Sequence, residues 1–176
     1  PPPHPPQAPA EAPPVRPARG APPLGAPAAS GMALAKREIA PDERRKKAYT
    51  TVRAPRPTAV NLRCALTLMQ DAQAGRPTEQ RQAKAYRLAA EICDEDVEIN
   101  HAIGRHALGV IRGLWQQKPA GTKAFHILTH CNAGWLATVD WGTALSAIYQ
   151  AYDDGIPVQL WVDENRPRNQ GAALTA

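Results

Sequence analysis

Along this chain of 176 residues the spacing of apolar side chains changes period once, and that change limits the possible folds more than any other feature. After Arg56-Pro57-Thr58, the residues Leu62, Leu66 and Met69 recur at i, i+4 and i+7. That spacing predicts a helix with Thr58 placed to cap it and Gly75 to end it. Pro77-Thr78 opens the next segment, in which Leu88, Ile92, Ile99, Ile103, Val110 and Leu114 keep three-, four- and seven-residue spacing. This predicts a long helix, or two in series broken near Gly104, closing before Pro119. From Phe125 the pattern differs. Phe125-His126-Ile127-Leu128-Thr129 and Val158-Gln159-Leu160-Trp161-Val162 are short β-type runs, and between them residues 143–152 read as a helix ended by Gly155. Helix then strand, helix, strand makes the chain α/β, with one βαβ unit whose strands are parallel.

The N-terminal end follows another logic. Twelve of the nineteen prolines fall within residues 1–27. Residues 1–17 are proline-rich low complexity, suited to extended polyproline II and too poor in apolar surface to order themselves. Foldable sequence starts near residue 18, with short helices expected over 28–37 and about 42–52. The expected organisation is therefore a tail over 1–17, a helical N-terminal domain over 18–120, and over 121–176 the start of a Rossmann-like domain. A two-strand parallel sheet does not stand alone, so the chain is expected to stop inside that second domain.

Composition narrows the function classes. The net charge of +5 would suit a polyanion, but the basic residues do not form a stripe interleaved with aromatics. The run Arg44-Arg45-Lys46-Lys47 reads as a solvated helix face, which leaves a small phosphorylated ligand as well matched as nucleic acid. Cys64, Cys93 and Cys131 are odd in number and have no CxxC spacing, against both a disulfide framework and a zinc site. No apolar run reaches the roughly 18 residues of a membrane span, and no signal-peptide pattern opens the chain. The expectation is a soluble cytoplasmic protein without metal or cofactor.

Ligands of open α/β sheets bind beyond the carboxyl ends of the strands. Here the first strand is followed by His130-Cys131-Asn132-Ala133-Gly134 and the second by Asp163-Glu164-Asn165-Arg166-Pro167-Arg168-Asn169-Gln170-Gly171. A cysteine past a strand end, beside a histidine and before a helix, is in a setting that can tune it for acid–base or nucleophilic work. It also suits a small buried residue at a tight turn. The mixed charges of Asp163, Glu164, Arg166 and Arg168 read equally as a surface ion network or as an anion site. Arg19-Gly20 is a further anion candidate, since glycine admits close backbone approach and arginine binds phosphate bidentately.

Four blocks resemble the methylthioribose-1-phosphate isomerase family: Arg19-Gly-Ala-Pro22 with Gly31-Met-Ala-Leu-Ala35; Arg56-Pro-Thr-Ala-Val-Asn-Leu-Arg63; Thr129-His-Cys-Asn-Ala-Gly134 continuing through Ala137-Thr-Val-Asp-Trp-Gly-Thr-Ala144; and Trp161-Val-Asp-Glu-Asn-Arg-Pro-Arg-Asn-Gln-Gly171. They stand in the family's order and cover residues 18–176. The resemblance implies an aldose–ketose isomerase of methionine salvage that converts S-methyl-5-thioribose 1-phosphate to S-methyl-5-thioribulose 1-phosphate. It implies that Arg19, Gly20, Ala21, Arg56 and Gln170 bind substrate, that Cys131 assists proton transfer with an aspartate lying beyond residue 176, and that the intact protein is a homodimer. Without that aspartate the chain alone is expected to be inactive. Pro23 and Pro27 interrupt a segment that the family keeps helical. Isomerases of ribose 1,5-bisphosphate or 5-deoxyribose 1-phosphate are close alternatives, since only the C5 group differs. A non-catalytic relative, similar to the translation-initiation-factor regulatory subunits of this fold, is another.

Overall fold

The computed structural model describes residues 25–34, 49–50, 60–131, 133–164, 166, 169 and 171–175. The elements are α1 (Gly25–Leu34), α2 (Val60–Asp71), α3 (Thr78–Gln116), β1 (Phe125–Thr129), a 3₁₀ turn (Trp135–Ala137), α4 (Ala144–Asp153), β2 (Val158–Val162) and a π-type turn (Gly171–Thr175). Both strands and the helix between them lie where the change of period puts them. The first helix starts three residues before the expected position 28 and contains Pro27. Pro27 does not interrupt it, because it sits in the first turn, where its missing N–H would have had no intrahelical partner. Of the helix expected over 42–52 only Tyr49 and Thr50 are described, and both are helical. Residues 35–37 and the proposed cap Thr58 lie outside the described residues.

The stripe on α2 is buried as its spacing requires, with Leu62, Leu66 and Met69 closed off from solvent. Those side chains meet Ala29, Met32 and Ala33 of α1 and Ala85 and Ala89 of α3, while Tyr49, Leu88 and Ile92 border the cluster. Alanines at the contacts let the three helices approach closely. Gly75 then supplies the left-handed turn, φ +68°, between α2 and α3.

Helix α3 runs unbroken for 39 residues, about 58 Å at 1.5 Å per residue, and it does not divide at Gly104. The absent side chain of Gly104 serves packing instead. A Cβ there would lie 2.3 Å from Ser146 Oγ and 2.2 Å from Gln150 Nε2, so α4 rests against the bare backbone of α3. Across this contact Ser146 Oγ donates to the Asn100 carbonyl at 2.8 Å and Gln150 Nε2 to that of His101 at 3.0 Å. Next to it Leu108 and Ile111 pack with Phe125, Ala147, Ala151 and Ile156, so the second half of α3 shares a core with the βαβ unit.

β1 and β2 pair in parallel from Phe125↔Val158 to Thr129↔Val162. Ile127, Val158 and Leu160 face α4 and join Ala133, Leu145 and Ile148. The opposite sheet face presents His126, Leu128, Gln159 and Trp161 to solvent, with Trp161 Nε1 donating to His126 Nδ1 at 3.1 Å. The molecule is a helical assembly joined through one long helix to a small parallel sheet, an α/β architecture.

Candidate active site

The in-phase pairing of the two strands brings their carboxyl ends side by side. The Asp163 N–H donates to the Thr129 carbonyl at 3.0 Å, extending the ladder by one residue beyond the paired strands. The segment after β1 (His130, Cys131) and the segment after β2 (Asp163, Glu164) therefore leave the same edge of the sheet. His130 Nδ1 stands 3.5 Å from Asp163 Oδ2, and both side chains are more than half exposed. At that exposure the pair contributes little stability.

Cys131 lies on this edge with an exposed side chain and φ +73°, in the left-handed region that an ordinary residue enters at a cost of about 1–3 kcal/mol. It is not the small buried cysteine of a tight turn. Nor does it directly precede a helix. A 3₁₀ turn over Trp135–Ala137 intervenes and α4 begins only at Ala144. The helix end is still coupled to the cysteine's loop, because the Ala133 carbonyl accepts the N–H groups of both Thr143 and Leu145.

That loop is fixed on several sides. Gly142, at φ +70°, is pressed so close to the chain at 133–134 that a Cβ would stand 2.6 Å from the Gly134 carbonyl carbon. Its N–H donates to Thr138 Oγ1 at 2.9 Å, and that hydroxyl donates to the Asp140 carbonyl at 2.8 Å. Asp96 of α3 accepts the Val139 N–H at 3.0 Å, and His101 of the same helix stacks on Trp141 with ring centres 4.7 Å apart. Trp141 in turn faces Trp135 at 6.5 Å, nearly parallel. The long helix thus positions the loop that carries the cysteine.

The segment after β2 folds back on itself. Glu164, one of the mixed charges read as an ion network or an anion site, holds the returning backbone. Its two carboxylate oxygens accept the N–H groups of Gly171 and Ala172 at 2.9 and 3.0 Å. Arg166 is exposed, and Arg168 lies outside the described residues. So do the substrate-binding candidates Arg19, Gly20, Ala21, Arg56 and Gln170, although Asn169 and Gly171 on either side of Gln170 are described. Thr175 donates its hydroxyl to the Cys131 carbonyl at 3.0 Å. Thr175 and the Thr138–Asp140–Gly142 turn escaped the sequence reading as site residues, although the turn's members stand in a block singled out for its resemblance; Glu164 was read only as part of a charge cluster, not as a holder of backbone.

The other two cysteines are elsewhere. Cys64 is on α2 and Cys93 on α3. Burial pushes the Cys93 thiol up from its ordinary range, a hydrogen bond with Ser30 acts the other way, and Asp94 and Asp96 add to the rise. A thiol so held stays protonated near neutral pH and is a poor nucleophile. Among the described residues no three His, Cys, Asp or Glu side chains lie together in a way that could hold a metal ion. No described helix is long and apolar enough to cross a membrane.

A model of the Initiation factor 2 subunit family matches residues 18–176. Methylthioribose-1-phosphate isomerase of Rhodospirillum rubrum is 55% identical over 161 residues, covering 90% of this chain and 41% of the relative. The protein of that name from Gluconobacter oxydans is 56% identical over 159 residues, covering 90% and 43%. The chain thus spans about two-fifths of the length of these relatives. Among solved structures, 5-methylthioribose 1-phosphate isomerase of Pyrococcus horikoshii superposes with a TM-score of 0.69 at 38% identity, over 88% of this chain and 43% of that one. The translation initiation factor eIF-2B subunit delta of A. fulgidus superposes with a TM-score of 0.66 at 37% identity, over 88% and 44%.

Proposed function

This chain belongs to the Initiation factor 2 subunit family, and on that premise we propose that it carries the cysteine half of an aldose–ketose isomerase that converts S-methyl-5-thioribose 1-phosphate to S-methyl-5-thioribulose 1-phosphate in methionine salvage. The observation that carries the reading is Cys131: exposed, in a strained left-handed conformation, at the shared carboxyl edge of two parallel strands. Strain of this kind collects where backbone geometry serves function.

The chemistry explains why a thiol belongs there. A sugar phosphorylated on its anomeric oxygen cannot open its ring as a free hemiacetal does. An acid must protonate the ring oxygen as its bond to C1 breaks, a base must remove the proton from C2, and a proton must return to C1 as the C2 hydroxyl gives up its own to become the ketone. Nothing is gained or lost overall, so the enzyme needs positioned acid–base groups and no displaced leaving group. In this reading Cys131 is one member of the pair and an aspartate beyond residue 176 is the other. Arg19, Gly20, Ala21, Arg56 and Gln170 hold the phosphosugar. The protein works in the cytoplasm as a homodimer, with a helical domain over 18–120 and a Rossmann-like catalytic domain starting at 121.

The two solved structures named above superpose almost equally well, so the fold does not separate an isomerase from a regulatory subunit. What favours the isomerase is the identity of 55–56% to proteins of that name. The test uses a chain that carries these residues at the relatives' full length, followed by proton NMR on the phosphorylated sugar. Turnover of the methylthio sugar is expected, and Arg56→Ala should raise KM at least about tenfold, as loss of a charge-assisted hydrogen bond would. Preference for ribose 1,5-bisphosphate or 5-deoxyribose 1-phosphate would reassign the substrate. Absence of turnover on all three would remove the isomerase reading.

A further inference from the structure

We propose that Thr175 and Glu164 are positioning residues that hold Cys131 in its left-handed conformation; the inference rests on the acid–base reading of Cys131. Cys131 can keep φ +73° only where its surroundings over-determine it. On its N-terminal side the strand ladder fixes the chain, through Thr129 paired with Val162 and the Asp163 N–H on the Thr129 carbonyl. On its C-terminal side the peptide leaving Cys131 is held by the Thr175 hydroxyl, which donates to the Cys131 carbonyl at 3.0 Å. Thr175 is itself buried, 8% exposed, so that hydroxyl has little competition from water.

Thr175 can do this only if its own turn is fixed, and Glu164 fixes it. The carboxylate stands two residues past β2 and clasps the Gly171 and Ala172 N–H groups, one with each oxygen, at the start of the π-type turn that ends at Thr175. The turn is also seated on the strand end. A Cβ on Gly171 would stand 2.5 Å from the Asp163 carbonyl oxygen, which leaves room for glycine alone. An unbroken series of contacts thus runs from the end of β2 through Glu164, the turn and Thr175 to the backbone of the cysteine. π-type turns are rare and concentrate at functional sites, consistent with a segment whose shape is set by what it must reach. Neither residue is required to touch substrate; each acts through Cys131.

The test pairs two readouts. In the full 176-residue chain with Cys64→Ser and Cys93→Ser, only Cys131 reacts with iodoacetamide, and its alkylation rate reports thiol presentation without reference to any substrate. Thr175→Val, which keeps the shape and removes the donor, should change that rate by about threefold or more, and Thr175→Ser should restore it. In a chain of the relatives' full length, Thr175→Val and Glu164→Ala should lower kcat by about ten- to a hundredfold with KM held within about twofold, as misplacement of a reacting group does. Glu164→Gln, which keeps one acceptor oxygen, should fall between Glu164→Ala and the unaltered protein. An unchanged alkylation rate in Thr175→Val, or a Thr175→Ser variant as altered as Thr175→Val, would overturn the proposal. If alkylation shifts as expected while the unaltered full-length protein turns over no phosphosugar, the positioning role stands and the isomerase reading falls.

Discussion

The two ends of α3 are packed in opposite manners. Around its first half the apolar stripe read from the sequence is buried: Leu62, Leu66 and Met69 of α2 close onto Ala85 and Ala89 of α3 with α1 as the third wall. Around its second half the stripe Ile99, Ile103, Val110 and Leu114 is exposed, between 41% and 64%, and α4 packs against a different face built on Asn100, Gly104, Leu108 and Ile111. The sheet repeats the asymmetry, with Leu128 and Trp161 open on the side away from α4. Periodicity therefore shows where a helix demands a partner, but it does not say which partner or which of two apolar faces a given neighbour will take. The bare stripe and the bare sheet face both belong to the region that carries Cys131. Neither has a cover among the described residues.

The comparison can be broken by mutation, beginning with the side chains that differ most in their surroundings. Leu66→Ala empties a fully buried site in the helical cluster and should cost about 2–5 kcal/mol, whereas Val110→Ala on the bare stripe should change stability by no more than about 0.5 kcal/mol. Urea denaturation of the 176-residue chain measures both. Equal losses would mean that the stripe is packed after all.

A smaller effect tests the α3–α4 junction. Gly104→Val places a branched side chain where Ser146 Oγ and Gln150 Nε2 now sit and breaks the hydrogen bonds to Asn100 and His101. The loss of buried hydrogen bonds should cost about 1–3 kcal/mol. Gly109→Val on the same helix, where a Cβ meets nothing within 4 Å, should cost only about 0.5 kcal/mol or less beyond what helix propensity dictates. A thermal melt in which the two variants behave alike would deny the close approach at Gly104.

The smallest effect lies at the surface. Arg112 on α3 grips Asp154, just past α4, through two hydrogen bonds, and the guanidinium holds that carboxyl below the ordinary carboxylate range. A carboxyl whose pKa is lowered by folding stabilises the fold at pH values above its unfolded pKa. It loses that contribution as the pH drops through the folded value. Arg112→Ala should therefore lower Tm slightly at neutral pH, by less at high salt, and not at all once acid has protonated Asp154. A gap in Tm that persists in strong acid would assign Arg112 another role.

How much of this could be read beforehand depends on the range of the interaction. The strands at Phe125–Thr129 and Val158–Val162 and the helix between them follow from local period and from Gly155, so they were legible to the residue or nearly so. At Gly104 the sequence left two readings open, one long helix or a break, because glycine weakens a helix locally and nothing nearby in the sequence reveals that another helix needs the space; the helix is unbroken. Pro27 was misread as an interruption because its position within the first turn depends on where α1 begins. The left-handed backbone of Cys131, the clasp of Glu164 and the reach of Thr175 join residues up to 44 apart and left no local signal. Cys131 itself was picked out by its place past a strand end, and it gained its role from the resemblance. Arg19, Gly20, Ala21, Arg56 and Gln170 owe their places to the resemblance alone, apart from the anion-binding character of Arg19-Gly20.

The central claim is that the strand-end cysteine does acid–base work that the other two cysteines do not. The most direct measurement compares Cys131→Ser, Cys64→Ser and Cys93→Ser in a chain of the relatives' full length, by steady-state turnover of methylthioribose 1-phosphate with and without a chelator. Cys131→Ser should lower kcat by about 10²–10⁴-fold at nearly constant KM, because a hydroxyl is a far weaker acid than a thiol, while the other two variants and the chelator leave kcat unchanged within about twofold. Full activity in Cys131→Ser, or loss of activity in all variants alike on adding chelator, would contradict it.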